Sequence, residues 1–164
     1  MTSPKLRALA VQDVPALLEL MREHAIYEHA AWPSRDREPG LKHWFLGDGP
    51  ARCWVVEADK TLVGFASVNL ELSSWDAAGY LHLDCLYIRE GFRGRGLGRQ
   101  LMACVAREAL ERRAVNLQWQ TPEWNVDALR FYERLGATHS KKYRFTLEGS
   151  QCRSLVDGTA SSAD

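Results

Sequence analysis

The sequence predicts an α+β sandwich built on a mixed, mostly antiparallel central sheet flanked by helices. Three observations carry that expectation. Strand-like and helical stretches follow one another in the order strand, helices, antiparallel strands, helix, strand, helix, strand. Within the middle of the chain, Ala66, Val68, Leu70 and Leu72 alternate with Ser67, Asn69 and Glu71, the two-residue period of a strand with one solvated face. A glycine-rich run, Arg93-Gly94-Arg95-Gly96-Leu97-Gly98, then separates an apolar strand from an apolar-faced helix.

Taken in order, Leu6 to Ala10 reads as a short first strand. Asp13 is a candidate cap for a helix running to about His29, with Val14, Leu17, Leu18 and Met21 on one face and Pro15 tolerated in its first turn. Trp32 to Gly40 reads as a loop and Leu41 to Leu46 as a short helix. Arg52 to Glu57 and Leu62 to Leu72 flank the turn Ala58-Asp59-Lys60-Thr61 and form a hairpin. Gly79 to Ile88 is a more buried strand. Leu97, Leu101, Cys104 and Val105 mark the face of a helix reaching Arg113, and Ala114 to Thr121 is a further strand. Asn125 to Leu135 is a helix stopped by Gly136, and Lys141 to Glu148 is a last strand. Residues 1–148 therefore read as one domain, and the small, polar residues 149–164 as a frayed, flexible tail.

Composition narrows the function. The chain has 164 residues, 46% of them hydrophobic, enough for a core. Its 21 basic and 21 acidic residues cancel, so it lacks the bulk charge that draws a protein onto nucleic acid or an anionic membrane. No stretch approaches the length of apolar residues that spans a bilayer. Cys53, Cys85, Cys104 and Cys152 contain no Cys-x-x-Cys pair, which points to reduced thiols and no zinc site. His24, His29, His43, His82 and His139 form no ligand pattern, so no metal is expected. A soluble, cytoplasmic protein is the expectation.

The glycine run reads as an anion-binding turn. Glycines at alternate positions let the backbone approach a ligand, and the free N–H groups at the start of the next helix point toward a diphosphate. Arg93, Arg95 and Arg99 add positive charge there. A P-loop would need Gly-Lys-Ser/Thr where this chain has Gly98-Arg99-Gln100, and a dinucleotide fingerprint would need glycine where it has Arg99 or Leu101.

What these residues resemble is the Arg-x-x-Gly-x-Gly signature of the GNAT N-acetyltransferase superfamily, with Arg93, Gly96 and Gly98 in the signature places. Upstream, Leu83-Asp84-Cys85-Leu86-Tyr87-Ile88 resembles that family's fourth strand. Downstream, the segment from Trp124-Asn125 through Phe131-Tyr132 to Gly136-Ala137 resembles its second conserved motif, and is most similar to the diamine and spermidine/spermine acetyltransferase branch. The resemblance covers about Leu6 to about Leu147. It implies the GNAT fold, with fourth and fifth strands splayed around the pantetheine arm of coenzyme A. It implies acetyl-CoA as co-substrate, a small-molecule amine as acceptor, direct attack in a ternary complex, and a homodimer without nucleic-acid or membrane partners.

On that resemblance the pyrophosphate binds at Arg93, Gly94, Arg95, Gly96, Leu97, Gly98 and Arg99. The backbone of Leu86, Tyr87 and Ile88 pairs with the pantetheine amides, and Gln118-Trp119-Gln120 forms the other wall. Asn125 is either a helix cap alone or a cap that also bonds the cofactor.

Acetyl transfer to an amine requires loss of the ammonium proton, a polarised thioester and a stabilised leaving thiolate. Asp84 interrupts an apolar strand and stands where relatives carry a glutamate base; it reads as that base or as a solvated or salt-bridged strand residue. Tyr132 reads as the acid for the thiolate or as a packing residue. Cys85 and Cys104 raise a ping-pong alternative, with burial the stronger reading for Cys104. His82 shares Asp84's face by the two-residue period and reads as an ordinary polar strand residue or as one that tunes Asp84 or a water. Tyr27 and Glu28, at the end of the first helix, are candidate acceptor contacts, with Glu28 and Asp84 as two carboxylates for a diamine or a lysine-like amino acid; the alternative is that Glu23 and Glu28 only solvate a helix end. Other acceptors compatible with the resemblance are an aminoglycoside, another amino acid or a protein amine, and the rival class is a non-catalytic acyl-CoA-binding module.

Overall fold

The computed structural model describes residues 3–158. They fall into two compact units, Met1–Leu129 and Arg130–Asp164.

The first unit is a five-stranded sheet in sequential order, β1 (Lys5–Ala8), β2 (Ala51–Ala58), β3 (Thr61–Ser73), β4 (Ala78–Ile88) and β5 (Leu117–Gln118). The first four strands pair antiparallel, and β5 joins β4 in parallel. Helix α1 (Val14–Tyr27) packs on β3 and β4, α2 (Glu38–Leu46) on β2 and α1, and α3 (Leu97–Glu111) on β2, β3 and β4. The mixed, mostly antiparallel α+β architecture matches the expectation.

One expectation for β3 is corrected. Ser67 was expected on a solvated face, yet Val63, Phe65, Ala66, Ser67 and Val68 are all at most 1% exposed. Consecutive buried positions on a strand require cover on both faces, and α1 and α3 both lie against β3. The core gathers Leu17, Leu20, Cys53, Val55 and Phe65, with Met21, Cys85 and Tyr87 packed at its border. Along α1 the buried positions are Val14, Leu17 and Leu20, with Leu18 only half-buried.

Asp13 precedes α1 without a side-chain bond to the helix amides. Its carboxylate instead accepts from Arg7 Nη1 at 2.5 Å, Arg7 Nη2 at 2.9 Å and the Ala10 amide at 2.8 Å. A paired guanidinium outcompetes the amides for a buried carboxylate. Arg7 also reaches Glu57 at 2.7 Å, tying β1 to β2 and to the entry of α1. The Arg7 bonds hold the Asp13 carboxyl below its usual range. Helix α2 starts at Glu38, three residues before the expected Leu41, because Pro39 fits a first helical turn.

Strand β5 is only Leu117–Gln118, shorter than the expected Ala114–Thr121. It meets β4 at Leu81↔Leu117 and His82↔Gln118, while β4 continues to Ile88. The two strands therefore part beyond His82, as the resemblance implied.

Helix α4 (Val126–Arg134) carries Asn125 at its start, and its residues from Arg130 onward belong to the second unit. In that unit the expected last strand is absent: 141–148 has no regular secondary structure and no ladder partner among the described residues, and Tyr143 and Phe145 are 93% and 91% exposed. The alternation is strand-like, but a strand needs a neighbour for its backbone groups. The expected frayed tail is also corrected in part, since Gly149–Val156 form α5. The Glu148 amide donates to Gln151 Oε1 at 2.7 Å, which caps the first turn. Residues 159–164 of that predicted tail lie outside the described residues.

Candidate functional site

The site is built around an irregularity in β4. Ser67 pairs with Cys85, but the next rung pairs Val68 with Leu83, so Asp84 is an extra residue in a β-bulge. The bulge turns Asp84 out to an exposed position, correcting the expectation of a partly buried carboxylate. It also breaks the two-residue period that placed His82 on Asp84's face. On the far side of the bulge, Leu86, Tyr87 and Ile88 pair with Ala66, Phe65 and Gly64. Their opposite backbone edge has no strand partner among the described residues, because β5 stops pairing at His82. Gly64 permits the tight fit there: a Cβ on it would fall 2.4 Å from Ile88 Cδ1 and 2.8 Å from the Tyr87 carbonyl oxygen.

The glycine turn follows directly. Gly94 and Gly96 hold φ of 72° and 78°, the left-handed region that favours glycine. Gly96 is the N-cap of α3, and with no side chain there the first-turn amides have no side-chain cap. A Cβ at either glycine would meet nothing within 4 Å, so the surface beside the turn is open. The three arginines do not act alike. Arg93 Nε donates to the Ile88 carbonyl at 2.9 Å, and its guanidinium lies 4.7 Å from the Tyr27 ring centroid. Arg95 donates to the Gly91 carbonyl at 2.8 Å and covers Phe92. Arg99 is exposed. Arg93 is thus a brace between the turn, β4 and α1, with its charge turned toward aromatic faces.

The end of α1 closes the arrangement. The Tyr27 hydroxyl donates to Asn125 Oδ1 at 3.3 Å, and its ring meets Trp124 edge-on at 5.7 Å. Asn125 is 8% exposed and also accepts from the Ala128 amide at 3.2 Å, so the cap reading of Asn125 holds. Tyr27 accordingly joins Arg93 and Asn125. Glu23 bonds Arg89 at 2.7 Å and accepts from the Tyr87 hydroxyl at 3.4 Å, which makes it a structural ion pair. Glu28 lies 3.3 Å from His24 Nε2.

His24 was not among the predicted site residues. Its ring stacks on Tyr87 at 5.3 Å and meets Phe65 edge-on at 6.2 Å. Burial lowers its pKa, as does Arg93, against the opposing pull of Glu28 and Asp84. The signal for it lay in the spacing: His24 continues the buried stripe of α1 at four residues from Leu20 and three from Met21. Burial, reinforced by Asp84 and Glu28, pushes the Cys85 thiol up. A thiol held protonated is a poor nucleophile, which weighs against ping-pong chemistry at Cys85. Beside it, Ser67 Oγ is buried without a hydrogen-bond partner, although it comes near enough to the sulfur to pull the thiol slightly back down.

Tyr132 lies in the second unit, with its ring 5.1 Å from that of Phe131. The remaining predicted residues, Asp84 to Arg99 with Tyr27, Glu28 and Asn125, all belong to the first. Among the described residues there is no group of His, Cys, Asp and Glu fit for a metal, and no helix long and apolar enough to cross a membrane.

Residues 16–137 match the acetyltransferase (GNAT) family. The chain belongs to that family. It is similar to a thialysine N-epsilon-acetyltransferase of Bos taurus, 28% identical over 157 residues, which cover 88% of this chain and 92% of the relative. It is also similar to an L-ornithine N5-acetyltransferase of Arabidopsis thaliana, 30% identical over 86 residues, covering 52% of this chain and 38% of that one. The fold matches that of an aminoglycoside N-acetyltransferase solved with CoA, with a TM-score of 0.75, 16% identity and coverage of 91% and 97%. As a GNAT enzyme the chain is an N-acetyltransferase that uses acetyl-CoA to acetylate an amine.

Proposed function

We propose that this GNAT enzyme acetylates one amine of a short diamine or of a lysine-like amino acid. The observation that carries this reading is that Glu28, at the C-cap of α1, lies 3.3 Å from His24 Nε2 while Asp84, from β4, lies 3.6 Å from Cys85 Sγ, with both carboxylates opposing the burial-driven fall of the His24 pKa. Two carboxylates around one spot favour a cationic acceptor. The thialysine and ornithine enzymes to which the chain is similar carry acceptors of this class in their names.

In this reading the glycine turn from Arg93 to Arg99 holds the pyrophosphate, and the open edge of Leu86, Tyr87 and Ile88 receives the pantetheine amides. The left-handed glycines and the open surface beside them fit such an anion. Asn125, whose Oδ1 is already occupied by Ala128 and Tyr27, keeps its amide hydrogens for the cofactor. Asp84 takes the ammonium proton, directly or through water, and the freed lone pair attacks the thioester carbonyl. The C–N bond forms, the C–S bond breaks, and Tyr132 gives its proton to the departing sulfur. We read 1–148 as one catalytic domain, since the family match runs across the boundary between the two compact units. The homodimer rests on the resemblance alone, and the free Cys53, Cys85, Cys104 and Cys152 support a reducing, cytoplasmic setting.

The test is release of free thiol from acetyl-CoA against an amine panel: ornithine, lysine, thialysine, short diamines, monoamines of equal length, an aminoglycoside and a peptide amine. Diamines and lysine-like amino acids are expected to give the highest kcat/KM. Equal values for monoamines, or preference for the aminoglycoside or peptide, would overturn the acceptor assignment.

A further inference from the structure

We propose that His24 is a positioning residue for the acceptor amine, holding the Glu28 carboxylate so that Glu28 and Asp84 flank a single cation. The inference rests on the function proposed above and adds a residue to it.

Glu28 stands in an unfavourable place. It is the C-cap of α1, where the helix dipole disfavours negative charge and where a side chain beyond the last turn is poorly fixed. Among the described residues neither Glu28 nor Asp84 forms an ion pair with a lysine or arginine. The guanidinium that acts on His24, Arg93, is engaged by the Ile88 carbonyl and the Tyr27 ring. The Nε2–Oε1 contact of 3.3 Å to His24 is what restrains Glu28.

His24 is suited to that task because it has little freedom of its own. Its side chain is 13% exposed, stacked on Tyr87 with an interplanar angle of 28° and edge-on to Phe65 at 76°. A ring gripped by β3 and β4 transmits the position of the sheet to a carboxylate on the helix. Asp84 reaches the same region from the bulge, with Cys85 Sγ 3.6 Å from its Oδ2. Two carboxylates without a cationic partner, one of them held against its helix dipole, make a site for an ammonium group.

His24→Met and His24→Gln test this, because the two replacements are similar in size and only Gln can donate to Glu28. The Met variant should raise KM for a short diamine or lysine-like acceptor about ten-fold, with KM for acetyl-CoA unchanged, and the Gln variant should recover most of that loss. Combined with Glu28→Gln, His24→Met should add nothing further, since it acts through the same carboxylate. Met and Gln variants equally impaired, an unchanged acceptor KM in the Met variant, or full additivity with Glu28→Gln would overturn the proposal. Should the Met variant fail to fold, His24→Leu against His24→Gln carries the same comparison. A parent enzyme that turns over with no amine at all would overturn the function reading together with this one; parent turnover with an indifferent Met variant would overturn this one alone.

Discussion

The Tyr27 hydroxyl donates to Asn125 Oδ1 at 3.3 Å, joining the last turn of α1 to the cap of α4 across 98 residues of sequence. Arg93 lies over the other side of this junction, 4.7 Å from the Tyr27 ring centroid. Tyr27 is thereby tied to Asn125 and Arg93, the two residues assigned to the cofactor under the proposed function. Tyr27→Phe keeps the ring and removes the bond, leaving Asn125 with the Ala128 amide alone. The expected result is a loss of about 1 kcal/mol in stability and an acetyl-CoA affinity weakened about five-fold, with acceptor KM little changed. Calorimetric titration with CoA and thermal unfolding measure both.

Gly96 provides a second expectation. At φ 78° it occupies the left-handed region, and a Cβ there would touch nothing within the protein. The cost of Gly96→Val is thus backbone strain for a β-branched residue, of about 1–2 kcal/mol, plus the space removed from an anion at the turn. Acetyl-CoA affinity should fall more than ten-fold in a variant that still folds. Unchanged affinity would disconnect the turn from the pyrophosphate.

How far the sequence speaks depends on whether an element is fixed by local pattern or by its neighbours. The strand from Ala78 to Ile88, the turn and the α3 face are written in local periodicity and glycine placement, and were legible. The bulge at Asp84 was not, because it is a property of the pairing between β3 and β4 and no residue of either strand announces it. Lys141 to Glu148 failed for the same reason in reverse: its alternation is sound, but no strand pairs with it. Asp13 shows a third limit, since a good cap residue was claimed by Arg7, distant in role though near in sequence. His24 was readable as one more position of the buried stripe of α1, yet its meaning required Tyr87, Phe65 and Glu28 to be placed around it.

Tyr132 follows Asn125 by seven residues in the segment that resembles the family's second motif. If it protonates the leaving sulfur, Tyr132→Phe should lower kcat roughly 100-fold while acetyl-CoA binding stays near the parent value. Undiminished kcat would leave Tyr132 as a packing residue against Phe131.

Asp84 is exposed on the bulge and free to meet an ammonium group from solvent. Asp84→Asn should depress the rate most near neutral pH, where a lysine-like amine is almost wholly protonated, and recover in part as pH approaches about 10. A rate–pH profile parallel to the parent's would remove Asp84 from proton transfer.

The last expectation concerns acid stability and follows from His24. Burial is the largest influence on its ring and lowers the pKa, helped by Arg93; Glu28 on its own helix and Asp84 on β4 oppose this, and the faces packed against it are Tyr87 and the uncharged Phe65. Because the folded pKa lies below the unfolded value, the unfolded chain binds the proton more readily. His24 therefore leaves stability intact above the unfolded pKa of about 6.5 and subtracts from it as pH falls below that value toward the folded pKa. Asp13 and Glu23, whose pKa values Arg7 and Arg89 hold down, also cost stability in acid, but only through the carboxylate range. The window between about pH 6.5 and 5 thus lies above the carboxylate range, and the His24 variant separates this histidine from the other four. Across it the parent should lose more melting temperature than His24→Gln, which has no proton to gain. Equal losses in the two proteins would mean that His24 takes up its proton as easily in the fold as in the open chain.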